Sequence, residues 1–293
     1  MTTRIEAVAA VEGGRMHGRS ARKLTDAAAD LALGRAGLVA DDVDLLVNAG
    51  LYHDRILGEP ALAALIQEDI GANPEDPHEG HHGTFSFDLA NGSCGMLTGL
   101  KVADGFLRAG TVRHALIVAG DADPGHRLAP GFPFAPTGGA IVCGWDDGPG
   151  GVVDIRLANQ VPGDGGDFRA TVALRGRRNT LVIDEEPGFA AAAGAWAAEV
   201  AAKLLADHGL AARDVDLVVA NPLTGEFLDA LGRDLGVPAT RLVAPPAGRA
   251  AGHTAGLAVA LESAVGAGRP AGPTTLLVSA GAGLTAGVAL LRG

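Results

Sequence analysis

The chain has 293 residues, a formal net charge of -11, 47% hydrophobic and 4% aromatic residues, and 44 glycines. That acidity argues against a nucleic-acid partner, whose phosphates require clustered Lys and Arg, and no apolar run reaches the roughly 18 residues of a membrane span. No basic stretch leading into an apolar one opens the chain, and Cys94 and Cys143 give no disulfide framework, so a cytoplasmic location is expected.

Taken from the start, the one dense basic cluster, Arg15, Arg19, Arg22 and Lys23, reads as a solvated helix entry rather than a phosphate- or carrier-binding patch. An Ala-rich helix is predicted over Asp26 to Ala36, followed by GLVADDVDLLVNA from Gly37, a turn and a buried strand. PHEGHHG, with His78, His81 and His82, lacks regular metal-ligand spacing and reads as a loop, so no metal site is expected.

Phe87 to Asp121 then reads as strand, sharp turn, amphipathic helix and second strand. Apolar positions Leu97, Leu100, Val102, Ala103, Phe106 and Leu107 define the helix, and Gly110 closes it. Ser93 or Cys94 falls where the turn enters this helix. Unpaired N–H groups and the positive end of the helix dipole stabilise developing negative charge there, an arrangement suited to acyl transfer. HALIVAGD reads as a strand buried on both faces. The Pro/Gly-rich segment to Gly139 is a candidate tunnel wall or dimer contact. GPGG near Gly148 and DGGD near Asp164 are turns with no nucleotide-binding pattern.

A second Ala-rich helix, Ala191 to His208, leads into GLAARDVDLVVAN from Gly209, 172 residues after the first copy. Leu38/Leu210, Ala40/Ala212, Asp42/Asp214, Val43/Val215, Asp44/Asp216, Leu45/Leu217 and Val47/Val219 are identical at that offset. Each copy continues with helix, glycine-rich turn, helix and apolar strand, so one α/β unit is used twice. The expected division is residues 1–160 and 161–293.

FDLANGSCGML, KVADGFLRAGTVRHALIVAGD, FAPTGGAIVCG and the closing SAGAGLTAGVALLRG together resemble the thiolase superfamily, specifically its β-ketoacyl-ACP synthase III branch. The resemblance implies a five-layered αβαβα fold from two duplicated halves. It implies a homodimer in which His114 to Gly120 pairs across the two-fold. It also implies an acyl carrier protein or coenzyme A thioester as substrate, with no tightly bound cofactor. The opening segment lacks the branch's Trp that holds the coenzyme A nucleotide, which allows an acyl-carrier substrate in place of coenzyme A.

The branch uses a Cys-His-Asn set. Ungapped alignment through Gly95 puts Ser93 at the cysteine position, whereas a register shifted by one uses Cys94. LVVANPLTGEF puts Asn221 at the histidine, and GHTAG puts His253 at the asparagine. A serine hydroxyl needs a base within reach, for which His253 is the candidate, with Asn221 as donor to an acyl carbonyl or oxyanion. No carboxylate closely follows His253, so any orienting acid must come from elsewhere in the fold. Three readings follow: acyl transfer or condensation through Ser93 in fatty-acid or polyketide-type metabolism, a cysteine ketosynthase using Cys94, and a silent partner subunit of an active ketosynthase.

Overall fold

The computed structural model describes residues 2–14, 20–56, 58–73, 83–125, 127–148, 150–161, 168–175, 178–221, 224–245, 252–266 and 273–293. The first half runs β1 (Thr2–Glu12), α1 (Ala21–Ala36), β2 (Leu45–Asn48), α2 (Leu62–Ile70), β3 (Phe85–Asp88), α3 (Gly95–Arg108), β4 (His114–Asp121) and β5 (Thr137–Asp146). The second runs β6 (Gly151–Asn159), a hairpin of β7 (Phe168–Arg175) and β8 (Arg178–Glu185), α4 (Phe189–Asp207), β9 (Leu217–Asn221), α5 (Gly225–Leu235), β10 (Leu242–Val243), α6 (Gly256–Gly266), β11 (Thr275–Gly281) and β12 (Thr285–Arg292).

The sequence repeat has a local physical cause. Gly37 and Gly209 each follow a helix with φ of 71° and 69°, the left-handed conformation that a helix terminus asks of glycine. In the next turn Asp42 accepts from Val39 N at 2.9 Å and Asp214 from Ala211 N at 2.8 Å. Asp44 then accepts from His114 N at 3.1 Å, and Asp216 from Thr274 N at 2.9 Å, each tying its strand to the neighbour. The repeated aspartates therefore do the same work twice.

Tertiary order repeats too. One sheet runs β1-β5-β4-β2-β3 and the other β6-β12-β11-β9-β10, when read from the matching edge. In each, the three strands after the helices are parallel and the last two pairings antiparallel. α1 and α2 cover the outer face of the first sheet, α4 and α5 that of the second, and α3 and α6 lie between the sheets. Three large clusters form the core of the described residues: an Ala/Leu one under α1, a central one around Met96, Leu97, Leu100, Leu257 and Ala258, and an outer one under α4, with a small fourth around Tyr52, Ala129 and Leu181. This is the five-layered αβαβα arrangement.

Three details differ from the sequence reading or refine it. β6 belongs to the second sheet by its pairing with β12, so a boundary at residue 160 leaves one strand of that sheet in the first half. The strand His114–Gly120 cannot pair across a two-fold, because β4 is hydrogen-bonded to β2 on one edge and β5 on the other. The free edges of that sheet are β1 and β3. Finally, α4 is 19 residues long and apolar enough to cross a membrane by length and composition, but Glu199 and Lys203 interrupt it. Its buried face packs on β11 and β12 inside the core. The candidate cluster His78, His81 and His82, together with Arg15, Arg19 and Asp164, lies outside the described residues.

Candidate functional site

The site is assembled where the two central helices begin. After β3 the chain makes a single 3-10 turn, Gly92–Cys94, before α3 starts at Gly95. Ser93, only 1% exposed, therefore sits at the helix entrance. Its hydroxyl donates to the main-chain carbonyl of Ala280, at the end of β11. The next residue, Gly281, faces Ser93 so closely that a Cβ there would overlap the hydroxyl. The second half thus closes over the turn of the first with a residue that must lack a side chain.

Cys94 turns the other way. Its thiol lies 3.4 Å from Ser279 O and 3.7 Å from Thr285 O and is wholly buried. Burial pushes the thiol up to about 12, which keeps it protonated at neutral pH.

Asn221 ends β9, and its amide donates to His253 O at 2.8 Å and Ser93 O at 3.4 Å. It thereby braces the two turns against each other. Its Oδ1 is buried without a hydrogen-bond partner among the described residues, against α6 at Gly256, where a Cβ would collide with it. An unpaired buried acceptor of this kind costs free energy.

His253 lies in the turn before α6 and is 5% exposed. Its ring is packed by Tyr52 at 4.8 Å, Phe134 at 4.7 Å and Phe168 at 6.4 Å between centroids. Burial holds the imidazole below its ordinary value, partly opposed by the nearby Asp121 carboxylate, so the neutral base is favoured. Nδ1 lies 3.0 Å from Thr254 Oγ1 and 3.9 Å from Asp121 Oδ1.

Asp121 is the acid that sequence reasoning left unassigned. It is the last residue of β4, wholly buried, and accepts main-chain N–H bonds from Thr254 at 2.7 Å, Ala255 at 3.2 Å, and Leu51 and Tyr52 at 3.3 Å. A lone carboxylate closing an otherwise apolar buried strand was the available signal. Tyr52, Phe134 and Phe168 carried none, because they come from three separate segments. The Pro/Gly-rich segment supplies Phe132 and Phe134, which with Tyr52 form an aromatic cluster beside His253.

Ser93, Asn221 and His253 thus come together through main-chain contacts while Cys94 points away, and no hydrogen bond joins the Ser93 hydroxyl to His253 among the described residues. For the Ser93 hydroxyl to engage any other group it must first leave Ala280 O. A cavity of about 420 Å³ between β1, α6 and β12 is lined by none of the four. Among the described residues no group of three His, Cys, Asp or Glu side chains is arranged to hold a metal.

Comparison with known proteins matches residues 205–293 to the family model described as 3-oxoacyl-[acyl-carrier-protein] synthase III C terminal. A β-ketoacyl-[acyl-carrier-protein] synthase III of Sphingopyxis alaskensis is 30% identical over 288 residues, covering 90% of this chain and 81% of the relative. The corresponding Rhodospirillum rubrum protein is 30% identical over 294 residues, with coverages of 94% and 85%. Among solved structures, 3-oxoacyl-[acyl-carrier-protein] synthase III from Aquifex aeolicus superposes with a TM-score of 0.82 at 18% identity, covering 99% of this chain and 100% of the other. The priming β-ketosynthase of a polyketide biosynthetic pathway gives 0.80 at 23% identity, with coverages of 99% and 96%.

Proposed function

Because the chain belongs to the β-ketoacyl-[acyl-carrier-protein] synthase III family, we propose that it transfers an acyl group from a carrier-protein or coenzyme A thioester through Ser93, in fatty-acid or polyketide-type priming. The observation that supports this reading is the packing of the turn before α3 on the turn before α6: Thr254 Oγ1, beside His253 and Asp121, donates to Gly92 O at 3.3 Å, and the Asn221 amide spans Ser93 O and His253 O. Neutral His253 takes the Ser93 proton as Oγ forms a bond to the thioester carbon. The C–S bond then breaks, and the thiolate leaves with the proton from the imidazolium. N–H groups opening α3 stabilise the oxyanion. Asn221 holds the two turns in register, and its amide becomes a substrate donor only on leaving one of its two carbonyls.

The buried, protonated thiol of Cys94 speaks against the alternative nucleophile. The Ser93–Ala280 bond favours the silent-partner reading, in which that bond is permanent. For assembly we favour a homodimer formed through the free edge at β3. There Phe85 is 56% exposed and clusters with Phe87 and Phe106 at 5.4 and 6.2 Å.

Intact-protein mass after incubation with a panel of acyl thioesters, with peptide mapping of the adduct, tests the reading. Ser93→Ala should abolish acylation and Cys94→Ala should leave it largely intact. An adduct on Cys94 would overturn the serine mechanism, and the absence of any adduct across the panel would favour the silent partner.

A further inference from the structure

A histidine can act as base toward Ser93 only through a nitrogen that carries no proton, so the tautomer of His253 matters as much as its position. The surroundings of Nδ1 decide it. Thr254 Oγ1, 3.0 Å away, has one hydrogen to give. Its other neighbours are Gly92 O at 3.3 Å and Asp121 Oδ1 at 3.5 Å, both of which can only accept. A hydrogen directed at either leaves a hydroxyl lone pair facing His253. The opposite arrangement would aim an Nδ1 lone pair at a buried carboxylate 3.9 Å away, an unfavourable contact in a setting of low dielectric.

We infer that Thr254 and Asp121 are positioning residues that hold His253 as its Nδ1–H tautomer and so leave the lone pair on Nε2. The inference rests on His253 being the base proposed above. Asp121 cannot drift toward the ring, because four main-chain N–H groups fix its oxygens. When the imidazolium forms during acyl transfer, the same carboxylate lies next to its Nδ1–H and stabilises the charge. Among the described residues, the aromatic groups packed on the ring add no charge: Tyr52, whose phenol burial and Asp121 together hold neutral, and the two phenylalanines Phe134 and Phe168.

The test is long-range ¹H–¹⁵N correlation of the histidine-labelled protein, with the His253 signals assigned by their loss in His253→Gln. Above the titration of the ring, the wild-type spectrum should show a protonated Nδ1 and an unprotonated Nε2. Thr254→Val removes the hydroxyl while keeping the side chain's shape and its N–H bond to Asp121. It should lower the Nδ1–H population and slow acylation by about tenfold, the scale of outer-shell losses, whereas Thr254→Ser should restore both. A wild-type spectrum with the proton on Nε2, or a Thr254→Val spectrum and rate equal to wild type, would overturn the inference. If instead His253→Gln acylates at the wild-type rate while the spectrum shows Nδ1–H, the assignment of the base fails and the tautomer assignment stands.

Discussion

The contact between Gly281 and Ser93 makes a quantitative prediction. Gly281 has an ordinary backbone conformation that alanine can adopt, so Gly281→Ala acts through its new methyl group alone. That methyl overlaps the Ser93 hydroxyl while standing 3.5 Å from Ser93 N and 3.7 Å from Ser93 Cβ. The hydroxyl must therefore swing off Ala280. Losing a buried hydrogen bond costs about 1 kcal/mol or somewhat more, and overfilling a tight interior adds about 1–3 kcal/mol. Together these give about 2–4 kcal/mol. In a Ser93→Ala background the nearest atom is a Cβ at ordinary contact distance, and the same substitution should cost less than about 1 kcal/mol. Urea unfolding of the four proteins of this double-mutant cycle should yield a coupling of roughly 1.5–3 kcal/mol with unchanged denaturant slopes. If Gly281→Ala costs the same in both backgrounds to within about 0.5 kcal/mol, the close approach of β11 to the nucleophile turn is wrong.

His253→Ala should slow acylation of Ser93 by roughly a hundredfold or more. The wild-type rate should rise with pH through a midpoint below the ordinary histidine value, since the neutral ring is the base and burial lowers its pKa; a flat profile would remove His253 from the mechanism. The same depressed pKa makes stability pH-dependent. The unfolded chain binds the proton first, so stability is complete above about pH 6.5 and declines as pH falls from there toward the folded-state value. In thermal melts, His253→Gln should lose that part of the acid slope. Gly256→Ala should destabilise by about 1–3 kcal/mol, because its methyl meets Asn221 Oδ1, despite the gain that alanine normally brings to a helix. A stabilised variant in urea unfolding would show that Asn221 does not pack against α6 as described.

Much of this architecture was legible because the repeated aspartates and glycines serve local functions. Asp42 and Asp214 cap turns within three residues of themselves, and such short-range chemistry leaves a mark on spacing. The α3 pattern was equally readable, with Leu97, Leu100, Ala103 and Leu107 all buried. Sheet order was not: an apolar run such as His114–Asp121 has the same composition at an edge or in the interior, and only its pairing with β2 and β5 distinguishes them. The site was half legible for the same reason. Ser93 and His253 lie in turns beside helix starts, which sequence marks with small residues and glycine. Asp121, Tyr52 and Phe168 reach His253 only through long-range packing, and no spacing encodes that.

Asp121 closes β4 opposite Thr137, and Gly281 closes β11 opposite Thr285, so the two residues occupy one position of the duplicated unit. Each reaches across to the helix start of the other copy: Gly281 lies against Ser93, and Asp121 against Thr254. One position has thus diverged into opposite tasks, room for the hydroxyl of Ser93 and a carboxylate that anchors the turn of His253. The copies are consequently not interchangeable. A chain assembled from two first halves would set a carboxylate against each Ser93-type turn, where it would crowd the hydroxyl that Gly281 leaves room for.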